Sequence, residues 1–207
     1  MGPRRSRAHA LASPRVEVQR LADGLWRWTT RHPTLEDPVL GTEVGCVYAE
    51  TNDAVVLIDP LVPVDVNERN RFLDALDRDV KRMQRPVAIL LTCAWHRRSA
   101  DELRERYRAT DEPPRGVDAP PVADDEVVLW LPSHRAVVAG DALLGLGDLR
   151  RCPDEWLAER GGRELLVAVL EGLVELEPDF VLPSHGDPVV QDATRALAAA
   201  AAEPPFE

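Results

Sequence analysis

The sequence predicts a layered α/β protein in which two groups of strands are each closed by helices. Short apolar stretches separated by turn residues fill most of the first 60 positions, and residues 66–82 then switch to helical spacing. A second set of strand-like and helical stretches follows between residues 127 and 202. Elements grouped in this way favour packed sheets covered by helices over a repeating strand–helix–strand series.

The first group combines several strands with one long amphipathic helix. Residues 54–58 form an unbroken apolar run, which is typical of a strand buried on both faces. Phe72, Leu76 and Val80 recur at helical spacing, so we predict a helix over residues 66–82. The predicted strands of this group are residues 16–21, 25–29, 44–49, 54–58 and 87–92.

The second group begins after a helix that the Ser99-x-x-Glu102 capping signature opens. Residues 110–125 are rich in Pro, Asp and Gly, and this composition predicts a loop. The remaining predictions are a hairpin over residues 127–131 and 136–139, a helix over 154–176 that Gly161-Gly162 can divide, a strand over 180–182, a loop over 183–186 and a helix over 192–202.

Bulk properties narrow the classes of function. The length of 207 residues suits one domain, here residues 14–207 after a basic tail at residues 1–13 that has no signal-peptide core. A net charge of -11 disfavours nucleic-acid binding and adsorption to anionic membranes. Cys46, Cys93 and Cys152 cannot form a complete disulfide framework, so we expect a cytoplasmic protein.

Four short motifs, in order and at characteristic separations, resemble landmarks of the metallo-β-lactamase superfamily over roughly residues 16–198. The motifs are Leu57-Ile58-Asp59-Pro60, Leu90-Leu91-Thr92, Val138-Ala139-Gly140-Asp141 and Leu182-Pro183-Ser184-His185-Gly186. This resemblance implies a four-layer αββα sandwich with metal ligands on loops at one edge of the two sheets. It also implies that Asp59 supports loop backbone.

The main metal-binding motif of that superfamily, His-x-His-x-Asp-His after a threonine, is altered in this chain. Its four ligand positions are here Cys93, Trp95, Arg97 and Arg98, and of these only Cys93 can bind zinc, as a thiolate. The segment is similar to a divergent branch of the superfamily that reads Trp-His-x-Arg-Ser. His96 falls on a spacer position of the motif.

Two superfamily ligands remain, the bridging carboxylate Asp141 and His185. A further family histidine has no counterpart in residues 110–125, although Asp118, Asp124 and Asp125 leave replacement ligands open there. Two ligands are too few, because a stable zinc site normally has three or four protein ligands. The resemblance therefore implies an eroded metal centre and leaves enzymatic activity undecided.

The primary hypothesis is a catalytically degenerate protein without a cofactor, in which Arg97 and Arg98 attract a small anion to the old cleft. We further expect one of these arginines to pair with Asp141 and replace the charge of the metal. The alternative is a hydrolase of esters, thioesters or phosphoesters with zinc or another divalent metal at Asp141 and His185, where His96 moves protons. A third class, an interaction subunit, stays open.

Overall fold

Two β-sheets lie face to face at the centre of the molecule, and helices cover their outer faces. The computed structural model describes residues 16–157 and 162–206, so the predicted basic tail at residues 1–13 lies outside the described part. The element order follows the two groups that the sequence predicts. This arrangement confirms the layered α/β class.

The first sheet has the order β1-β2-β3-β4-β5, in which consecutive strands are neighbours. Strands β1 to β4 pair antiparallel, and β5 adds parallel to β4, with Leu57 opposite Ile89. A parallel pair needs a long crossover connection, and the helix after β4 supplies it. The strand bounds are Glu17–Ala22 (β1), Leu25–Arg31 (β2), Glu43–Glu50 (β3), Val55–Ile58 (β4) and Val87–Leu90 (β5).

The second sheet is built around one long strand. Strands Pro121–Ala123 (β6) and Glu126–Val127 (β7) form a separate small pair, and the sheet itself contains Leu129–Leu131 (β8), Ala136–Gly145 (β9), Arg150–Arg151 (β10) and Phe180–Gly186 (β11). β8 and β10 pair antiparallel with opposite ends of β9, and β11 pairs parallel with it. The predicted loop at residues 183–186 was wrong, because β11 continues through His185.

Most helices begin and end close to the residues that the sequence pattern predicts. They are Val66–Met83 (α1), Ala100–Tyr107 (α2), Asp154–Leu157 (α3), Arg163–Val174 (α4) and Ala193–Ala202 (α5), with a 3-10 helix over Ala94–Arg97. Asp65 caps α1 by accepting hydrogen bonds from the Asn67 and Glu68 amides, both at 3.0 Å. Within residues 16–157 and 162–206, no helix combines the length and apolarity needed to cross a membrane.

Ser99 precedes α2 as predicted, but its side chain does not cap that helix. No capping hydrogen bond forms at this end, and the Ser99 hydroxyl instead accepts from the Val62 amide at 3.0 Å. Glu102, the other member of the predicted capping box, pairs with Arg69 on α1. The residues of the signature therefore join α2 to its neighbours rather than satisfying its first amides.

Three apolar layers fill the spaces between the sheets and helices, and together they define the αββα arrangement. The first sheet packs on α1 and α2 through side chains such as Leu57, Leu73 and Leu103. Ile58 and Leu182 belong to the layer between the sheets. The outer face of the second sheet packs on α4 and α5 through side chains that include Val137, Leu170 and Leu197.

The pairing of β9 with β11 is irregular around Pro183 and its partner Gly140. The register shifts between Leu182 and Pro183 and again between Pro183 and His185. Gly140 adopts φ +56°, and a Cβ at this position would overlap the Thr92 side chain. Glycine here lets β9 approach Thr92 closely, which brings the next residue, Asp141, to the end of β5.

Leu57 lies on β4, between β3 and β5, and is fully buried. Its burial predicts that the free energy of unfolding depends on this side chain. We expect Leu57→Ala to lower the free energy of unfolding by about 2–5 kcal/mol, because it removes apolar contacts and leaves a cavity. Urea denaturation measures this change. Leu165→Ala on α4, where the side chain is 39% exposed, is the matched control and should cost far less. Equal losses in the two variants would contradict the assignment of β4 to the core.

Candidate metal centre

Polar residues in four strands, or just after them, meet at one edge of the two sheets. Asp59 follows β4, Thr92 follows β5, Asp141 lies within β9, and His185 lies near the end of β11. His96 joins them from the 3-10 helix over residues 94–97. The edge is the one on which the resemblance placed the metal ligands.

Asp59 holds the start of the loop that follows β5. Its Oδ1 accepts a hydrogen bond from the Thr92 amide at 2.8 Å, and its Oδ2 accepts from the Thr92 hydroxyl at 2.5 Å. Asp59 is buried and has φ +50°, a backbone conformation that is uncommon outside glycine. These contacts confirm that Asp59 supports loop backbone.

His96 lies at the centre of the cluster, although the sequence placed it on a spacer position. Its ring is buried, with Nδ1 3.0 Å from Asp59 Oδ2 and Nε2 3.2 Å from Asp141 Oδ2. The turn at the start of the 3-10 helix explains this placement, because the His96 amide donates to the Cys93 carbonyl at 3.1 Å and so brings the two residues together. His96 therefore lies beside Cys93, the one residue of the altered motif that can bind zinc.

Two carboxylates set the protonation state of His96. Burial alone would lower the pKa of the imidazole, but the charges and hydrogen bonds of Asp59 and Asp141 outweigh it and raise the pKa to about 12. Without a metal, His96 is therefore an imidazolium at neutral pH. The cluster thus favours positive charge between its two carboxylates.

The predicted salt bridge between an arginine of the motif and Asp141 was wrong. Arg97 is exposed on its helical turn and donates from Nε to Asp101 at 2.6 Å. Arg98 donates to the Asp59 carbonyl at 3.1 Å and to the Ser184 hydroxyl at 3.0 Å. Among the described residues, the basic nitrogens that approach the Asp141 carboxylate are those of His96, at 3.2 Å, and His185, at 3.6 Å.

Asp141 and His185 face each other at a distance too long for a hydrogen bond. His185 Nε2 lies 3.6 Å from Asp141 Oδ1. Although burial opposes it, the hydrogen bond and charge of His96 keep the pKa of Asp141 below its usual value. Burial lowers the pKa of His185 despite the opposing effect of Asp141, so this imidazole is neutral near pH 7.

Two arginines fix the segment that carries His185. Arg27 reaches across from β2 and donates to the Gly186 carbonyl at 2.7 Å. Arg98 binds the Ser184 hydroxyl on the other side of the histidine. His185 is therefore held between two anchored neighbours, which fixes its ring beside Asp141.

The residues present fit a single metal ion. Donor atoms of Cys93, His96 and Asp141 all lie within 4.8 Å of one another. Asp141 Oδ1 is buried and accepts no hydrogen bond from any described residue, so it is an oxygen that a cation would satisfy. Across residues 16–157 and 162–206, this is the group of three donors that could hold a metal, and the segment 110–125 contributes nothing to it.

The sequence motifs indicate Asp141, His185 and Cys93 as possible metal ligands, but they place His96 on a spacer position. Alignment to the superfamily motif assigns side chains by position, and that alignment made His96 a spacer. A histidine three residues after a cysteine was the available signal, because one tight turn can bring two residues at this spacing together. The structure brings the two together with Asp141 and leaves Arg97 outside the cluster.

Comparison with known proteins gives likeness in structure alone. No protein-family description and no curated protein sequence matches the chain. Among solved structures, TMB-1 superposes with a TM-score of 0.54 at 13% identity, covering 91% of this chain and 97% of that one. A metallo-β-lactamase from Erythrobacter litoralis gives 0.55 at 16% identity, covering 89% and 92%. The metallo-β-lactamase FIM-1 from Pseudomonas aeruginosa, in its mono-zinc form, gives 0.53 at 16% identity, covering 91% and 96%.

The raised pKa of His96 predicts how the stability of the metal-stripped protein depends on pH. The imidazole titrates near 6.5 when unfolded and near 12 when folded, so its stabilising contribution is complete below the lower value. The contribution then falls by about 1.4 kcal/mol per pH unit as pH rises between those values. We expect the free energy of unfolding in urea to fall more steeply from about pH 7 to about pH 9 in the unaltered chain than in His96→Gln.

The histidine of the β8–β9 turn supplies the control for this measurement. Burial lowers the pKa of His134, so His134→Gln should leave the slope above neutral pH unchanged. Equal slopes for the unaltered chain and His96→Gln would show that His96 is not held as an imidazolium.

Proposed function

We propose that this chain, which has the metallo-β-lactamase fold, keeps one divalent metal site in its eroded centre and hydrolyses an ester, thioester or phosphoester there. The observation that supports this proposal is the buried group of Cys93, His96 and Asp141, whose donor atoms lie within 4.8 Å of one another. Three protein ligands are within the number that a stable zinc site normally has.

The contacts of His96 match those of a metal-binding histidine. Its Nδ1 faces the Asp59 carboxylate, and its Nε2 faces Asp141. Metal-ligating histidines commonly donate their second nitrogen to a carboxylate, which fixes the ring and raises its basicity. Asp59 is therefore suited to orient His96, while Nε2 is available for a cation.

The unpartnered oxygen of Asp141 also favours a metal over a proton alone. A protonated His96 engages Oδ2 of that carboxylate, but Oδ1 remains buried without a hydrogen bond. A divalent cation held by Asp141 would remove this cost. FIM-1 exists in a mono-zinc form, so a single zinc ion is compatible with the fold.

The residues divide into those that would hold the ion and one that can move a proton. Cys93, His96 and Asp141 would hold it, and three protein ligands are the number that catalytic zinc sites commonly use. A bound divalent ion supplies Lewis-acid activation of water and of a carbonyl or phosphoryl group. His185, whose Nε2 lies 3.6 Å from Asp141 Oδ1 and whose pKa burial lowers, is suited to accept a proton.

Metal content tests this proposal directly. Protein purified without chelators should contain about one equivalent of a divalent metal per chain, as expected for a single site with three protein ligands. Elemental analysis of His96→Ala and Asp141→Asn should show most of that metal lost, because each change removes a ligand. His134→Ala, a histidine change outside the cluster, should retain it.

Thermal unfolding provides an independent check on the same site. A ligand that binds the folded state alone raises the melting temperature, so a chelator should lower it in the unaltered chain and leave it unchanged in Asp141→Asn. Absence of bound metal, together with no shift on adding zinc, iron or manganese, would contradict the proposal.

A metal-free, catalytically degenerate protein is the second candidate, and the raised pKa of His96 favours it. An imidazolium between Asp59 and Asp141 already supplies positive charge to the site, and a metal must displace its proton. In this candidate the cleft binds a small anion such as a carboxylate or phosphate through Arg98. Its guanidinium is already hydrogen-bonded to Asp59 and Ser184, so an anion would have to add to or exchange with these contacts.

Neighbouring arginines provide a matched pair for testing anion binding. If the second candidate holds, inorganic phosphate should raise the melting temperature of the unaltered chain and of Arg97→Met, because Arg97 is exposed and paired with Asp101. Arg98→Met should lose that increase. An increase that is absent in all three proteins, or equal in all three, would count against an anion site at Arg98.

A further inference from the structure

We infer that Cys93 binds the metal as a thiolate, so that the site selects zinc, cobalt or cadmium over the hard cations magnesium, manganese and calcium. The inference rests on the single-metal site proposed above and names the class of ion that the site takes. A cysteine stands here at the first ligand position of a motif that otherwise begins with histidine.

The local backbone directs Cys93 toward the other donors. Cys93 immediately precedes the 3-10 helix over residues 94–97, and the His96 amide donates to its carbonyl at 3.1 Å. Cys93 itself is extended, with φ -152° and ψ 165°, and the turn that this hydrogen bond closes brings His96 back beside it. The sulfur, an imidazole nitrogen and a carboxylate oxygen thus converge within 4.8 Å.

The surroundings of Cys93 differ from those of the other two cysteines. All three thiols are free and buried. The Cys46 sulfur accepts from the Leu61 amide at 3.3 Å within the layer beneath α1, and Cys152 packs in the layer beneath α4 and α5. Cys93 instead lies in the cluster, with donor atoms of His96 and Asp141 within 4.8 Å of its sulfur.

Charge balance explains how a metal can bind close to Arg98. A thiolate at Cys93 with the carboxylates of Asp59 and Asp141 gives three negative charges, which offset a divalent ion and the guanidinium of Arg98. The thiol proton and the His96 Nε2 proton pass to solvent as the bonds to the metal form. Since no further anionic ligand is needed, the altered motif remains compatible with a cation.

The softness of the donors determines which ion is favoured. Thiolate and imidazole suit zinc and similar borderline ions, whereas magnesium, calcium and manganese prefer sites made of oxygen ligands. In this cluster a single carboxylate faces the sulfur and the imidazole nitrogen. Zinc should therefore bind far more tightly than magnesium or manganese.

Cobalt substitution tests the sulfur ligand directly. The full chain is stripped of metal and loaded with Co²⁺, and the near-ultraviolet absorption from thiolate-to-cobalt charge transfer is recorded. We expect this band in the unaltered protein and in Cys152→Ser, and its loss in Cys93→Ser. Zinc affinity of Cys93→Ser, measured by competition with a chromophoric chelator, should fall by roughly 100-fold or more, since even changes behind a ligand cost 10–100-fold.

Zinc X-ray absorption of the unaltered protein keeps the test independent of how well the variants fold. A sulfur neighbour at roughly 2.3 Å from zinc supports the inference. Zinc bound with nitrogen and oxygen neighbours alone, or stabilisation by magnesium or manganese equal to that by zinc, would overturn it and leave the single-metal site standing. Failure of every ion to bind would remove the metal site itself.

Discussion

The carboxylate of Asp59 is the contact on which the rest of the site depends. Its two oxygens accept from the amide and hydroxyl of Thr92, and Oδ2 also lies 3.0 Å from His96 Nδ1. One buried anion therefore fixes both the start of the loop after β5 and the orientation of the imidazole. Removing it would leave several buried donors without an acceptor, which is more costly than losing a single exposed hydrogen bond.

The second sheet reaches Asp59 and Thr92 through a close approach of the β9 backbone to the Thr92 side chain. Gly140 allows β9 to pass directly against Thr92, where any side chain would collide with the threonine. Asp141 follows Gly140 and so reaches His96 Nε2 from the side opposite Asp59. His96 is thereby held between one carboxylate from each half of the sandwich, and the site forms when the two sheets pack together.

The altered motif changes which residues line the candidate site, but the carboxylates of Asp59 and Asp141 still favour a cation between them. Two arginines replace ligands of the superfamily pattern, yet neither pairs with Asp141. Arg98 anchors Ser184 beside His185, and His96 supplies the positive contact that the carboxylates require. The buried carboxylates need a neighbouring positive charge. Either a proton on His96 or a metal held by Cys93, His96 and Asp141 would supply it. Measuring bound metal therefore distinguishes the two proposed functions.

The sequence by itself determined the fold and most of the participants. Unbroken apolar runs located β4 and β5, helical spacing gave α1 to within one residue, and the order of short motifs identified the sandwich together with Asp59, Asp141 and His185. These features depend on local periodicity and on order along the chain, which a sequence displays directly.

Only the tertiary structure decided which side chains meet. The direction of His96 depends on a single 3-10 turn, the extension of β11 through His185 depends on register shifts against β9, and the true partners of Arg97 and Arg98 depend on neighbours distant in sequence. None of these leaves a periodic pattern, because each is set by packing between the two sheets. A motif read by position therefore paired an arginine with Asp141, whereas packing between the two sheets places His96 there.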